Sequence, residues 1–197
     1  MTDDVRAATP SSAYGYRPSL LGAAWEFHLT DDALDWSIGR RSGRVLYRDI
    51  TRVQLAFRPG TMQRGTFLMH VWSSTSPKVT VTSTTWKSMV EVQRQDAPYR
   101  DFVLALHRHL IAAGAKPDYV RGVPLYMYWP GATIMAACAC GFAFLIVRAL
   151  QTAAWAGAAF IAGFLALFLW QIGGYFRRNR PGRYAPDNVP DELLPGV

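Results

Sequence analysis

Acidic residues are missing from the longest continuous stretch of this 197-residue chain. Between Val123 and Phe176 there is no aspartate, glutamate, lysine or histidine, and Arg148 is the one charge. A proton relay or ion path needs ionisable groups inside the membrane, so that stretch excludes both. Cysteine is nearly absent too: Cys138 and Cys140 are the only two, in "ACAC". Two residues apart on a helix they point to different sides, which excludes a disulfide between them and leaves them as small packing residues. No glycine-rich loop leads from a strand into a helix, so a nucleotide site has no support. The hydroxyls of "WSSTSPKVTVTSTTW" lack the acid–base partners by which a nucleophile is recognised. Asp31, Asp32 and Asp35 make an ordinary aspartate-rich turn with too few oxygen ligands for a hard cation. His107 and His109 diverge on a helix, and His28 and His70 stand singly in strands. No catalytic residue, metal or cofactor is expected.

What the chain does have is apolar length. As one helix the run from Val123 to Phe176 would extend about 80 Å, whereas a bilayer core of about 30 Å takes about 20 residues per crossing. Two spans are therefore expected, at 126–147 and 153–176, with a short external loop at 148–152 around Arg148 and a linker at 116–125. Tyr126, Tyr128 and Trp129 at the entry, and Trp155 and Tyr175 near the ends of the second span, suit the two interfaces. Basic flanks stay on the cytoplasmic side. Lys116, Arg121, Arg177, Arg178, Arg180 and Arg183 outweigh Arg148, which places both termini in the cytoplasm. The opening "MTDDVRAATP" has two aspartates and no apolar stretch, so a cleavable signal peptide is not expected.

Small residues recur every four positions along both spans. Ala132, Ala136 and Cys140 form one such row, with Thr133, Ala137 and Gly141 beside it. Ala158, Ala162 and Ala166 form another, flanked by Ala159 and Gly163. Such spacing lets helix backbones approach closely. The rows are read as the packing seam of the hairpin or as a contact with another subunit; alanine is also common on lipid-facing helices.

The first part of the chain changes character. Trp25–Leu29, Ala33–Ile38, Arg44–Tyr47, Ile50–Phe57, Thr66–Trp72 and Lys78–Ser83 read as short strands separated by turn signals. "YRDFVLALHRHLIAAG" follows with Tyr99, Phe102, Val103, Leu106, Leu110 and Ala113 at helical intervals and Arg100 and Arg108 opposite. Six strands and one helix over 24–115 suggest a small sandwich or barrel closed by the helix. Residues 1–23 are read as a flexible arm. Residues 177–197 are basic and then proline-rich, either a disordered end or a short peptide that docks on a partner or on the β-domain.

The run "LTDDALDWSIGRRSGRVLYRDITRVQLAFRP", leading to "YRDFVLALHRHL", resembles bacterial membrane proteins with a pleckstrin-homology-like (PH-like) domain. Their pattern is a strand pair, a basic turn, a "D-I-x-x-V" strand (here Asp49, Ile50 and Val53) and a helix. The resemblance covers about residues 24–115 and implies an antiparallel PH-like barrel or sandwich, capped by one helix and followed by a two-helix transmembrane hairpin. It also implies a scaffold or binding role. PH domains that grip phosphoinositides use basic residues in the first strand-to-strand turn; here that turn is the acidic "TDD", and the cations come in the next one.

That second turn, with Arg40, Arg41 and Arg44 joined by Arg48, is the one surface cluster with electrostatic force. It is read as a contact for anionic head groups, worth about 1 kcal/mol per basic residue, or as a solvated turn that protects a strand edge. Nucleic acid is not expected: residues 1–120 carry 15 basic against 11 acidic groups, and much of the remaining excess in the net charge of +7 flanks the spans. The expected protein is thus a non-enzymatic inner-membrane protein whose cytoplasmic module binds protein or anionic lipid. The alternative is an accessory subunit of a larger membrane complex, held through its hairpin.

Overall fold

The computed structural model describes residues 12–58, 65–88 and 91–196. The chain is α+β, and it divides into two compact units: residues 1–121 with 183–197, and residues 122–182 between them. The second unit is thus an insertion within the first.

The first unit begins with a meander of four antiparallel strands in the order β1-β2-β3-β4. They are β1 (Ala13–Tyr16), β2 (Trp25–Leu29), β3 (Ala33–Ile38) and β4 (Arg41–Leu46). β5 (Ile50–Arg58), β6 (Thr66–Ser73) and β7 (Val79–Thr82) make the antiparallel part of a second sheet. β8 (Thr84–Trp86) and β9 (Val92–Arg94) form a small ribbon, and α1 (Asp96–Ala112) follows. β10 (Asp118–Arg121) then lies parallel to β5, and β11 (Gly182–Arg183), reached only after the insertion, extends the same sheet beyond it. Neither larger sheet closes on itself, so the strands do not form a barrel.

Both sheets contribute to one core. α1 turns Tyr99, Phe102, Val103, Leu106 and Leu110 inward, all fully buried. Ala113, expected with them, lies exposed just past the helix end. Phe102 meets Tyr14 and Phe27 at centroid distances of 5.5 and 6.1 Å. The alternation in "AYGY" buries Tyr14 and Tyr16, whose hydroxyls donate to the Thr82 and Thr80 carbonyls at 2.6 Å each. These bonds stitch the first sheet to β7. The expected arm at 1–23 is therefore corrected over residues 13–16, because two buried tyrosines and a full ladder to β2 hold them; residues 1–11 lie outside the described residues.

The C-terminal segment follows one of the readings given for it, docking onto the β-domain. Leu193 and Leu194 are buried in the core, on a 3-10 turn at Asp191–Leu193. The β-unit thus takes in β1 and the segment returning from Arg183 besides the expected 24–115, and the segment expected as a linker at 116–125 contains β10.

The second unit holds α2 (Leu125–Gln151) and α3 (Trp155–Arg178), both long and apolar enough to cross a membrane. At 1.5 Å per residue they measure about 40 and 36 Å, beyond the core thickness of about 30 Å. The expected external loop at 148–152 shrinks to Thr152–Ala154, because α2 continues past Arg148. A positive charge is favourable in the last turn of a helix. The Ala154 N–H bonds the Ala149 carbonyl at 2.9 Å and Ala153 takes φ +54°, a Schellman-type ending. α1 ends the same way, but on Gly114 with φ +64°. A side chain in this conformation costs about 1–2 kcal/mol. Ala153→Gly is therefore expected to raise the hairpin's stability by about 1 kcal/mol, visible as a higher thermal midpoint in detergent; an unchanged or lower midpoint would refute the strain.

Candidate functional site

The four arginines of the expected head-group contact divide into two pairs. Arg40 lies in the two-residue turn between β3 and β4, and Arg41 opens β4; both are exposed, without an acidic partner among the described residues. Arg44 sits directly across from Asp35 in the ladder, and its Nε donates to Oδ1 at 2.8 Å. Asp32 lies 3.9 Å away as well. Arg48 stands 3.9 Å from Asp49 and is largely exposed. Pairs this exposed contribute about 0–1 kcal/mol, but they do offset the charge. Arg40 and Arg41 are the two that present an uncompensated one.

The helix pair packs along a different seam from the one expected. Tyr128, Ala132, Met135, Ala139, Phe142, Ile146 and Ala149 are half-buried positions of α2 at alternating steps of three and four, with Gly131 half-buried beside them. Ala158, Ile161, Leu165, Phe168 and Ile172 answer them on α3. The Phe142 ring meets Phe164 and Phe168 at 5.4 and 6.0 Å. That is the heptad spacing of left-handed helix pairs. Of the expected rows Ala132 and Ala158 lie on this seam; Thr133, Ala136, Ala137, Cys140, Gly141, Ala159, Ala162, Gly163 and Ala166 are exposed. The geometry explains the error, since a row taken every four residues rotates about 40° per step around a helix. Ala158 begins at the contact, and Ala162 and Ala166 turn progressively away from it.

At the base of the hairpin the chain closes tightly. The Val123 N–H donates to the Asn179 carbonyl at 3.2 Å, and Asn179 is fully buried. Gly122 has φ +74°, and any Cβ there would strike the backbone oxygens of Asn179 and Arg180. Tyr128, Phe176 and Tyr175 meet edge to face in sequence, at 5.4 Å per pair. Among the basic residues expected to set topology, Arg121 pairs with Glu192 at 2.6 Å and Arg183 with Asp118 at 3.1 Å. Arg177, Arg178 and Arg180 are exposed. The orientation signal counts cations and is little affected by acids, so the two ion pairs leave it intact.

No family model, curated protein or solved structure matches this chain. Its function has to be argued from its own residues.

The returning segment makes the most elaborate set of polar contacts in the β-unit. Arg100 donates to the Pro195 carbonyl at 3.2 Å and to Asp191 at 3.0 Å. His107, buried on α1, has Nδ1 2.7 Å from the Val103 carbonyl and Nε2 2.9 Å from the Tyr184 hydroxyl. A carbonyl can only accept, so Nδ1 carries the proton and Nε2 accepts from Tyr184. Tyr119 and Tyr184 flank the same ring. Burial lowers the His107 pKa to about 4. His109 stacks on Tyr47 instead, with centroids 5.6 Å apart. His70 bonds Thr80 at 2.9 Å, a structural role like the one expected for it. An open groove of about 510 Å³ runs between α1 and residues 186–189, lined by Leu104, Arg108, Ile111 and Val189. No cluster of three or more potential metal-binding side chains occurs among the described residues. The sequence signals for the tail were Tyr184 and the pair Leu193–Leu194, apolar points in an otherwise polar stretch.

Proposed function

We propose that this is a non-enzymatic bacterial inner-membrane protein whose β-unit is a cytoplasmic PH-like module for binding protein or anionic lipid. The observation that carries the reading is the insertion: residues before and after the hairpin belong to one packed unit. The chain must therefore cross the membrane an even number of times between Arg121 and Arg183, and two helices of suitable length are there to do so. The arginine asymmetry then favours the cytoplasm as the side that holds the β-unit. The strand–basic turn–strand–helix order supports the PH-like reading, although the sheets are open and the sheet of β5 gains the parallel strand β10.

Thiol labelling tests the topology without disturbing the tail. In a Cys138→Ser, Cys140→Ser background, Gln151→Cys at the hairpin tip should react with a membrane-impermeant reagent applied from the periplasmic side. Asp187→Cys in the returning segment should react only after the membrane is opened. Periplasmic labelling of Asp187→Cys would remove the β-unit from the cytoplasm and end this reading.

A second reading is an accessory subunit held through its hairpin. The exposed rows around Ala136, Cys140, Ala162 and Ala166 favour it, since they are not used between α2 and α3 and suit close approach by another helix. Stoichiometric co-purification of a membrane partner in mild detergent, lost on Ala162→Leu, would select it.

A further inference from the structure

We propose that one end of the first sheet docks on an anionic bilayer surface, with Leu20 and Leu21 entering the boundary between head groups and acyl chains. The inference rests on the membrane-tethered reading above and names the surface that would meet the lipid.

The loop between β1 and β2 carries the first observation. The Gly22 N–H donates to the Ser19 carbonyl at 3.3 Å, which makes Leu20 and Leu21 the central residues of a turn. Turn centres ordinarily take glycine, proline, asparagine, aspartate or serine. Here two leucines occupy them, and Leu21 is fully exposed. The described part of the β-unit exposes only five large apolar side chains: Leu20, Leu21, Trp86, Val92 and Ile111. Four of those five gather at this end. Val92 lies opposite Trp86 in the β8–β9 ladder. β8 is fastened beside the loop, with the Trp86 N–H on the Arg17 carbonyl at 3.0 Å and the Arg17 N–H on the Thr85 hydroxyl at 2.9 Å. Scattered exposed apolar residues need no explanation, but a gathered patch marks an interaction surface.

Charge selects the partner. Trp25 pairs with Ile38, so the β3–β4 turn sits at the same end as the leucine loop, where Gly39 packs against Ala23. Arg40 and Arg41, the unpaired cations of that turn, therefore flank the apolar patch. Arg17 and Lys87 border it on the other side, with Trp25 and Trp86, in an open cleft of about 370 Å³. Glu26 and Glu91 are the acids at this end. The opposite end of the sheet carries Asp31 and Asp32, in the β2–β3 turn. Arg44, 3.9 Å from Asp32, and Arg48 offset those acids, so an anionic surface attracts the first end more strongly than the second. Leucine, tryptophan and arginine gathered at one end are the residue types of a membrane interface, where apolar groups lie innermost and cations meet the phosphates.

The full-length chain, in the Cys138→Ser, Cys140→Ser background, is reconstituted in vesicles of phosphatidylglycerol and phosphatidylcholine. An environment-sensitive fluorophore is placed at Leu21→Cys or, as the opposite-end control, at Asp31→Cys. Quenchers carried on lipid acyl chains should dim the Leu21 label several-fold more than the Asp31 label, and aqueous iodide should show the reverse order. Arg40→Gln with Arg41→Gln, or vesicles of phosphatidylcholine alone, should move the Leu21 label towards the Asp31 values. Equal quenching at both sites in a chain that resists alkaline extraction overturns the docking and leaves the membrane tether standing. A Leu21 label shielded from both quenchers, as under a protein partner, overturns it too, and so does lipid quenching indifferent to the arginines and to lipid charge. Release of the chain by alkaline extraction would count instead against the tethered reading.

Discussion

A chain that stops at Gly182 is expected to keep its two apolar helices and to lose the folded β-unit. The removed segment supplies Leu193 and Leu194, both within the core cluster. Burying a leucine fully contributes about 1.5–3 kcal/mol, so the pair accounts for about 3–6 kcal/mol. Whole domains are stable by only about 5–15 kcal/mol. Truncation also removes the covers of other groups. His107 loses the Tyr184 hydroxyl on Nε2, and Tyr119 loses its ring neighbour. Arg121 and Arg100 lose Glu192 and Asp191. A buried polar atom left unpaired costs about 1–3 kcal/mol more. Limited proteolysis of the extracted protein should show rapid cleavage in β1–β7 for the truncated chain and resistance for the full one. Because deletion is a blunt change, Leu193→Ala provides a graded version, expected to cost about 2–5 kcal/mol, while Leu193→Met should stay within about 1.5 kcal/mol. Equal protease resistance in truncated and full chains would mean that the tail decorates a core complete without it.

That dependence has a consequence for how the protein is made. Residues made after both apolar helices are needed to finish a core whose other members are made before either helix. The β-unit cannot reach its final packing until both spans have been made and the chain has returned. Folding of the soluble part is thereby coupled to completion of the hairpin.

Local patterning made much of this fold legible, and long-range return made the rest invisible. Alternation found Trp25–Leu29 and Ala33–Ile38 with their observed bounds, and Ile50–Phe57 one residue short. The helical spacing of Tyr99, Phe102, Val103, Leu106 and Leu110 found the buried face of α1. β10 went unread because "DYVR" is four residues long and gains its place only by lying parallel to β5, a partner more than sixty positions earlier. β1 carries a glycine between its two tyrosines, and what fixes it is a pair of hydroxyl bonds to β7. The basic turn was legible as a cluster, but the ladder register that hands Arg44 to Asp35 was not. In the hairpin the residue types were conspicuous and the period misled. Small residues every four positions drew attention from the heptad of Met135, Phe142, Leu165 and Phe168 that forms the contact.

The tail's hold on the β-unit should weaken in mild acid, through His107. Burial keeps this imidazole neutral in the folded protein and lowers its pKa to about 4, while the hydrogen bond to Val103 works in the opposite direction. In the unfolded chain it returns to about 6.5. Between those values the unfolded state binds a proton that the folded state refuses, so stability rises with pH. The contribution is complete above pH 6.5 and is lost as pH falls towards 4. The slope is at most about 1.4 kcal/mol per pH unit, or about 2 kcal/mol between pH 6.5 and 5. His70 adds in the same direction: its pKa is also lowered to about 4, first by burial and then by the charges of Lys78 and Arg58. The effect of His107 is felt at the tail because a second proton on it would sit on Nε2, the atom that accepts from Tyr184. Hydrogen exchange of residues 184–194 in the detergent-solubilised chain should quicken between pH 6.5 and 5 after correction for the intrinsic pH dependence of exchange. His107→Gln should remove the His107 part of that response while leaving the part due to His70. A response of equal size in His107→Gln would place the acid sensitivity elsewhere and reduce the His107–Tyr184 contact to simple packing.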